Sequence, residues 1–385
     1  MITFGGILDG ITNVLLLLVI LVVLVVVHEF GHFLAARRAG VRVHEFGIGF
    51  PPRAKVLHDD GETIYTLNWL PIGGFVRLEG EEGDSDDPRA FVRQGLGRRI
   101  VILLAGVTMN FLIAFLIFTF IAGVADPSAT VRIGAVQPGS PAEAAGLRGG
   151  VQIDTVTLPD GTPVPVYDES GDRILAIDGL RFPWFALPDG PRAQIDYLRD
   201  RPSATVTLLV ERSDGTVFET QATLRSAADI AAGLGALGFS PQSFATGPTI
   251  ERDPVSAVVV GAQRTVDSST LILRALGEFV TNLTDPQVSG PIGIVNAIGF
   301  VRTEAPPIFL LFLIGLLSAN LGVINALPFP PLDGGRVAVS LIQAVSGNRI
   351  SAAAERLVYL TGFVLLMLLL VWVTWFDIQR LGGGT

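Results

Sequence analysis

Four runs of apolar residues, each long enough to cross a bilayer as a helix, limit what this chain can fold into more than any other feature. A helical span takes about 20 residues. The runs extend from about Ile11 to Ala36, Ile100 to Val124, Ile308 to Leu327 and Leu357 to Phe376. Charged residues make up only 16% of the 385, against roughly 25% in soluble domains. With so little polar surface to face water, the expected architecture is a polytopic α-helical membrane protein with about four transmembrane helices. The fourth run ends in Trp372, Trp375 and Phe376, as at a membrane interface. No Lys or Arg precedes the first run, so it lacks the basic start of a signal peptide and is read as a permanent span.

Basic residues near span ends mark the cytoplasmic side. Arg37, Arg38, Arg42, Arg93, Arg98 and Arg99 lie between the first two runs, and Arg336, Arg349 and Arg356 between the last two. Both of those loops are therefore expected in the cytoplasm, with the segment from about 125 to 307 outside. This divides the chain into a first core half (1–125), an outer β-rich domain (126–228), a linker with membrane-associated helices (229–306) and a second core half (307–385). Between Pro254 and Val280 apolar residues recur at helical spacing but are interrupted by Arg264, Asp267, Arg274 and Glu278, which fits an amphipathic helix rather than a fifth span. The net charge of −9 argues against a nucleic-acid partner. With no cysteine, disulfides, thiol catalysis and Cys-ligated metal are excluded.

Within the first span lies His28-Glu29-Phe30-Gly31-His32. Histidines four apart share one face of a helix and can grip one metal ion, and Glu29 beside them can serve as general base toward a zinc-bound water. Ionisable groups at membrane depth are costly and usually mark function. His44-Glu45-Phe46-Gly47 repeats the motif, but Ile48 stands where a second ligand would be, so it reads as an ordinary polar stretch. His58 falls in a polar segment and is expected to be solvated. A catalytic zinc needs a third protein ligand and an open position. No histidine remains, so a carboxylate must return to membrane depth. Asp333 is the candidate, in Asn325-Ala-Leu-Pro-Phe-Pro-Pro-Leu-Asp-Gly-Gly335, where three prolines end the third span and two glycines permit a tight turn.

These residues together resemble the site-2 protease family of intramembrane zinc metalloproteases, most closely its bacterial RseP-type branch, over nearly the whole chain. HEFGH is similar to the family's HExxH, and Asn325 to Gly335 to its second motif. Ala105 to Asn110 resembles its glycine-to-asparagine motif, and Ser289-Gly290-Pro291-Ile292-Gly293 a segment preceding the third span. The resemblance implies cleavage of single-span membrane proteins inside the bilayer of the bacterial cytoplasmic membrane, the active site lying toward the cytoplasmic side. Anti-sigma factors and leftover signal peptides are the implied substrates, after an upstream site-1-type protease has trimmed them. It implies one zinc ion held by His28, His32 and Asp333, with Glu29 as base and Asn325 and Asn110 holding the substrate backbone or the oxyanion.

The outer domain resembles a PDZ domain of α+β type. Ile133 to Leu147 is similar to its opening strand and helix, and Gly171 to Gly179 to the next strand and turn. About twenty residues, Gly150 to Ser170, separate the two pieces. The resemblance puts a peptide groove at Val131, Arg132, Ile133 and Gly134, unless the domain acts as a size filter instead. Glu62 to Leu78 resembles the family's membrane-dipping β-hairpin on the cytoplasmic side, which implies substrate contact at Gly73, Gly74 and Phe75. The acidic run Glu79 to Asp87 reads as a solvated loop. Two other classes compete with a protease. A membrane scaffold displaying the outer domain has no use for Glu29, and a transporter would call for inverted repeats that are absent.

Overall fold

The computed structural model describes residues 4–81, 85–157, 161–281, 289–347 and 351–382. In chain order the elements are α1 (Phe4–Arg38), β1 (Val43–Asp59), β2 (Ile64–Leu78), α2 (Leu96–Val124), β3 (Pro127–Val136), α3 (Pro141–Ala144), β4 (Gln152–Thr157), β5 (Pro163–Tyr167), β6 (Arg173–Ile177) and β7 (Phe182–Pro183). There follow α4 (Ala193–Arg199), β8 (Thr205–Glu211), β9 (Val217–Thr223), α5 (Ala227–Ala231), β10 (Phe239–Thr249), α6 (Pro254–Thr281), α7 (Pro291–Glu304), α8 (Pro307–Ala326), α9 (Asp333–Ser346) and α10 (Ala352–Gly382). They form two compact units, one of residues 1–119 with 261–385 and the other of residues 120–260.

In the first unit, α1, α2, α8 and α10 are long and apolar enough to cross a membrane, and they coincide with the four runs read from the sequence. Their outward side chains stay exposed, among them Val19, Val101, Leu116, Leu365 and Leu368. Apolar surface on this scale suits lipid rather than water. One core cluster joins Leu17, Ile20 and Leu24 of α1 to Ile298 of α7 and to partly buried leucines of α8. The Ser289–Gly293 segment is where α7 begins. Asp377 of α10, itself buried, accepts the backbone N–H of Gly290 at 3.1 Å and of Gly293 at 2.9 Å. A carboxylate at this end meets both the free amides and the positive end of the helix dipole. The helix spans Pro254–Thr281 as expected, and its Gly261 is pressed against Thr119 of α2, where a Cβ would come within 2.1 Å of the hydroxyl.

The sheet between α1 and α2 is larger than the hairpin read from Glu62 to Leu78. Each of its strands folds back, so that residues 45–48 face 74–77 on one side and 64–67 on the other, while 53–59 pair with 64–68. The second HEFG stretch is thus a strand in the middle of a sheet. Glu45 is buried and takes Arg53, Arg77 and Thr66, and His44 pairs with Glu79 at 2.5 Å, so neither is available to a metal. His58 is exposed on a strand, near Tyr65. Gly73 and Gly74 bring the 73–78 strand against Val25 and Val26, one turn before His28. Away from α1 the sheet exposes Trp69, Leu70 and Ile72.

Where it is described, the acidic run is tied down by ion pairs, and Asp86 stays fully exposed as a solvated loop would have it. Glu79 pairs with His44, Glu81 with Arg336 at 2.5 Å, Asp86 with Arg93 and Asp87 with Arg42. Residues 82–84 of the run lie outside the described residues. Two hydrogen-bond donors, Ser85 and His44, hold the Glu79 carboxyl below its ordinary range.

The second unit is built on one sheet with strand order β10-β3-β6-β8-β9, β7 pairing with β3. Val131, Ile133, Ile174, Leu208, Val210 and Leu237 form its core. The sheet does not stop at 228, where the sequence reading ended the outer domain, because β10 adds to its edge. This strand order also overturns the groove expected at Val131 to Gly134. These residues lie on β3, an interior strand with β10 on one side and β6 on the other, so no edge is open there. The ring of Tyr167 covers Gly134 from the face, since a Cβ there would lie 2.7 Å from it. Tyr167 ends a separate hairpin, β4 with β5, which fills most of the 150–170 insertion; residues 158–160 lie outside the described residues.

Candidate metal centre

α1 presents His28 and His32 on one face, both buried, toward the α2 backbone. The His32 Nδ1–H donates to the Ile102 carbonyl at 2.8 Å. A carbonyl can only accept, so the proton of a neutral His32 is fixed on Nδ1 and a lone pair on Nε2 points inward. That lone pair lies 3.2 Å from the Nε2 of His28. Asp333 brings Oδ2 to 3.0 Å from His28 Nε2 and 3.3 Å from His32 Nε2. The three residues form the one metal-capable cluster of His and carboxylate groups found among the described residues.

Asp333 comes from the far end of the chain because of how α9 starts. It is the first residue of that helix, and the first turn rests directly on the preceding loop. A Cβ on Gly334 would lie 2.2 Å from the Ala326 carbonyl, and one on Gly335 2.5 Å from Phe329. Only glycines let the turn lie that close. On the other side Gly362 of α10 brings that helix against the Pro330 carbonyl. Arg336, one turn on, ties α9 to Glu81 beyond the β sheet.

The donor set fits zinc. Atoms about 2.0–2.1 Å from a tetrahedral zinc stand about 3.3 Å apart, and the three separations here are 3.0, 3.2 and 3.3 Å. Asp333 Oδ2 is buried with no hydrogen-bond partner. Lone pairs this close, with a buried carboxylate oxygen left unsatisfied, call for a cation between them. Three protein ligands also leave the fourth position that a catalytic site keeps open.

Two residues of α2 complete the arrangement. A Cβ on Gly106 would lie 2.4 Å from His32 Nε2 and 2.8 Å from His28 Nε2, so nothing larger than glycine fits opposite the imidazoles. Asn110, one turn later and fully buried, has its amide 3.1 Å from His28 Nδ1. It stands behind the imidazole, on the side away from Asp333. The amide faces the ring through Nδ2, and its Oδ1 is buried without a partner. A half-turn of the amide satisfies both groups, with Oδ1 accepting from His28 Nδ1–H and Nε2 freed for metal. The Ala105–Asn110 segment points to this pair in the sequence, but its purpose is visible only once α1 and α2 cross.

Glu29 is half-buried beside His28, and its carboxylate has no hydrogen bond or ion pair among the described residues. Asn325 lies in the last turn of α8, half-buried, its amide likewise without a protein partner among the described residues. Gly73, Gly74 and Phe75 lie on the strand that runs beside α1.

Comparison with known proteins agrees with zinc as the metal. The model of peptidase family M50 matches residues 16–369. A protein of Clostridium acetobutylicum, provisionally named a zinc metalloprotease, is 32% identical across 95% of this chain and 97% of its own. The zinc metalloprotease RasP of Oceanobacillus iheyensis is 28% identical, over 92% of this chain and 96% of its own. RasP of Geobacillus kaustophilus is 27% identical, over 92% and 94%. With the family match spanning nearly the whole sequence and the buried histidines and carboxylate meeting at zinc-ligand spacing, the chain belongs to peptidase family M50, the site-2 proteases, and is a multi-pass membrane zinc metalloprotease.

Proposed function

We propose that this enzyme cleaves single-span membrane proteins within the bilayer, with His28, His32 and Asp333 holding one zinc ion and Glu29 acting as general base. The carrying observation is the convergence of three ligand atoms at 3.0–3.3 Å on the face of a helix apolar enough to cross a membrane. Zinc in such a site lowers the pKa of a bound water toward neutrality and polarises the carbonyl to be cut. The protein supplies the rest. Ile102 and Asn110 hold the two imidazoles in the ligating tautomer, and Gly106 keeps the space opposite them clear. The free carboxylate of Glu29 takes the proton from the attacking water and passes it to the departing amine. Asn325, with an uncommitted amide at the end of α8, is suited to hold the substrate backbone.

A peptide bond within a helix is shielded, so the substrate must unwind before it is cut. Among the described residues the 73–78 strand pairs on one side only, with 45–48, and an extended substrate can pair on the other through Gly73, Gly74 and Phe75. Trp69, Leu70 and Ile72 suit the same sheet for dipping into the membrane. In the PDZ-like domain the sheet ends at β10 on one side and β9 on the other, and β10 offers one open edge for a peptide. The basic loops favour an orientation with the metal toward the cytoplasm of a bacterium and this domain outside. Anti-sigma factors and signal-peptide remnants, trimmed first by another protease, fit such a site.

Removing the metal tests the reading. In vesicles carrying the enzyme and a tagged single-span protein, a zinc chelator should stop cleavage, and added zinc should restore it. Cleavage that continues in the metal-free enzyme sinks the proposal. Asn110→Ala should weaken zinc binding by about 10- to 100-fold, the usual effect of losing a partner behind a ligand, as read by competition with a chromogenic chelator. Were Asn110 a substrate contact instead, zinc affinity would stay unchanged and only the cleavage kinetics would move.

A further inference from the structure

A groove of about 720 Å³ runs along the seam of α1 and α2, separate from the metal centre. Its walls include Gly31 and Ala35 of α1 and Val101 and Thr108 of α2, and one end is flanked by Arg38 and Arg98. The volume is within the range of about 300–1,000 Å³ typical of small-molecule sites. The wall is mainly apolar, and the Thr108 hydroxyl commits its donor to its own helix at the Leu104 carbonyl. Gly31, packed within 2.4 Å (as a Cβ) of the Ala105 carbonyl, forms the floor, and the turn that carries His28 and His32 lies behind it.

The charge at the mouth distinguishes this groove from the general lipid-facing surface. Four arginines stand near this end of the two helices. Arg37 is paired with Asp60, and Arg99 is hydrogen-bonded to Ser340 and Gln343. Arg38 and Arg98 are exposed and have no carboxylate partner among the described residues; Arg98 reaches only the neutral Gln94. From Gly97 to Met109, the stretch of α2 that lines the groove, the helix rises about 18 Å. The hydrocarbon of one leaflet is about 15 Å deep. An apolar slot of one leaflet's depth with two free cations at its mouth matches an acyl chain below a negative headgroup.

We propose that this groove is a binding site for an anionic phospholipid, with an acyl chain lying against Gly31, Ala35 and Val101 and the phosphate at Arg38 and Arg98. None of the three metal ligands lines the groove.

The test uses the full chain, purified in neutral detergent and mixed with equal amounts of phosphatidylglycerol and phosphatidylcholine, with retained lipid counted by native mass spectrometry. Retention of phosphatidylglycerol should exceed that of phosphatidylcholine by about tenfold, and Arg38→Gln with Arg98→Gln should bring the two near parity. Arg93→Gln, on an arginine already paired with Asp86, should leave the preference in place. Val101→Trp, which fills the slot and keeps both charges, should lower retention of both lipids and provides the test should the double variant not fold. Equal retention by the wild type, or a preference that survives the double substitution, overturns the proposal. So does a Val101→Trp protein that keeps its lipid but no longer cleaves a single-span substrate, because the groove would then be a path for substrate. Failure of the lipid test leaves the metal chemistry untouched, since zinc content is measured on the same samples.

Discussion

Glutamine in place of Glu29 should slow cleavage by about 10²- to 10⁴-fold, the usual share of a general base, while zinc content stays at the wild-type level. The two side chains have nearly the same shape, so the neighbouring His28 and the α1 packing are undisturbed. What is lost is the ability to take up a proton. Glu29 is suited to this loss being clean, since its carboxylate holds nothing else in place among the described residues. The measurement pairs metal content with single-turnover cleavage of a tagged single-span protein. A variant that lost its zinc would show Glu29 to be part of the ligand set, and one that cleaved normally would move the base elsewhere.

Gly106→Ala should have an equally large effect by a different route. The added methyl would sit 2.4 Å from His32 Nε2 and 2.8 Å from His28 Nε2, closer than any real Cβ contact, so the imidazoles or the crossing itself must shift. On the same crossing, a Cβ on Gly31 already has only 2.4 Å to the Ala105 carbonyl. Either movement takes the Nε2 atoms out of ligand geometry. Zinc affinity is expected to fall by at least about 100-fold, equivalent to about 2.8 kcal/mol, and activity at limiting zinc with it. Chelator competition reads the first and cleavage the second. Because a methyl adds no charge and favours helix, a melting temperature near that of the wild type should accompany the loss. Unchanged zinc affinity would contradict the arrangement of α1 against α2.

The parts of this site that were legible in the sequence are those that local spacing encodes. His28 and His32 share a helix face by periodicity, and the need for a third ligand singles out Asp333 among prolines and glycines that can turn the chain back. The four spans follow from length and hydropathy alone. What was not legible depends on which surfaces meet. Gly106 and Asn110 are singled out in the sequence only by resemblance, and what they do beside the histidines shows once α2 is laid across them. The peptide groove was misplaced because strand order decides which edge is open, and β10, a hundred residues after β3, closes the edge that local pattern left free. The ion pairs of the acidic run are hidden from the sequence for the same reason. Its partners, Arg336 among them, lie on other elements.

The central claim is that the zinc site cuts within the bilayer, and the position of the cut tests it most directly. Purified enzyme is placed in vesicles with a single-span protein whose apolar segment is flanked by polar tails, and the masses of both products are measured. The account predicts a cut inside the apolar segment by the wild type and none by the Glu29→Gln variant. A cut confined to a polar tail, or one that Glu29→Gln makes equally well, would contradict it.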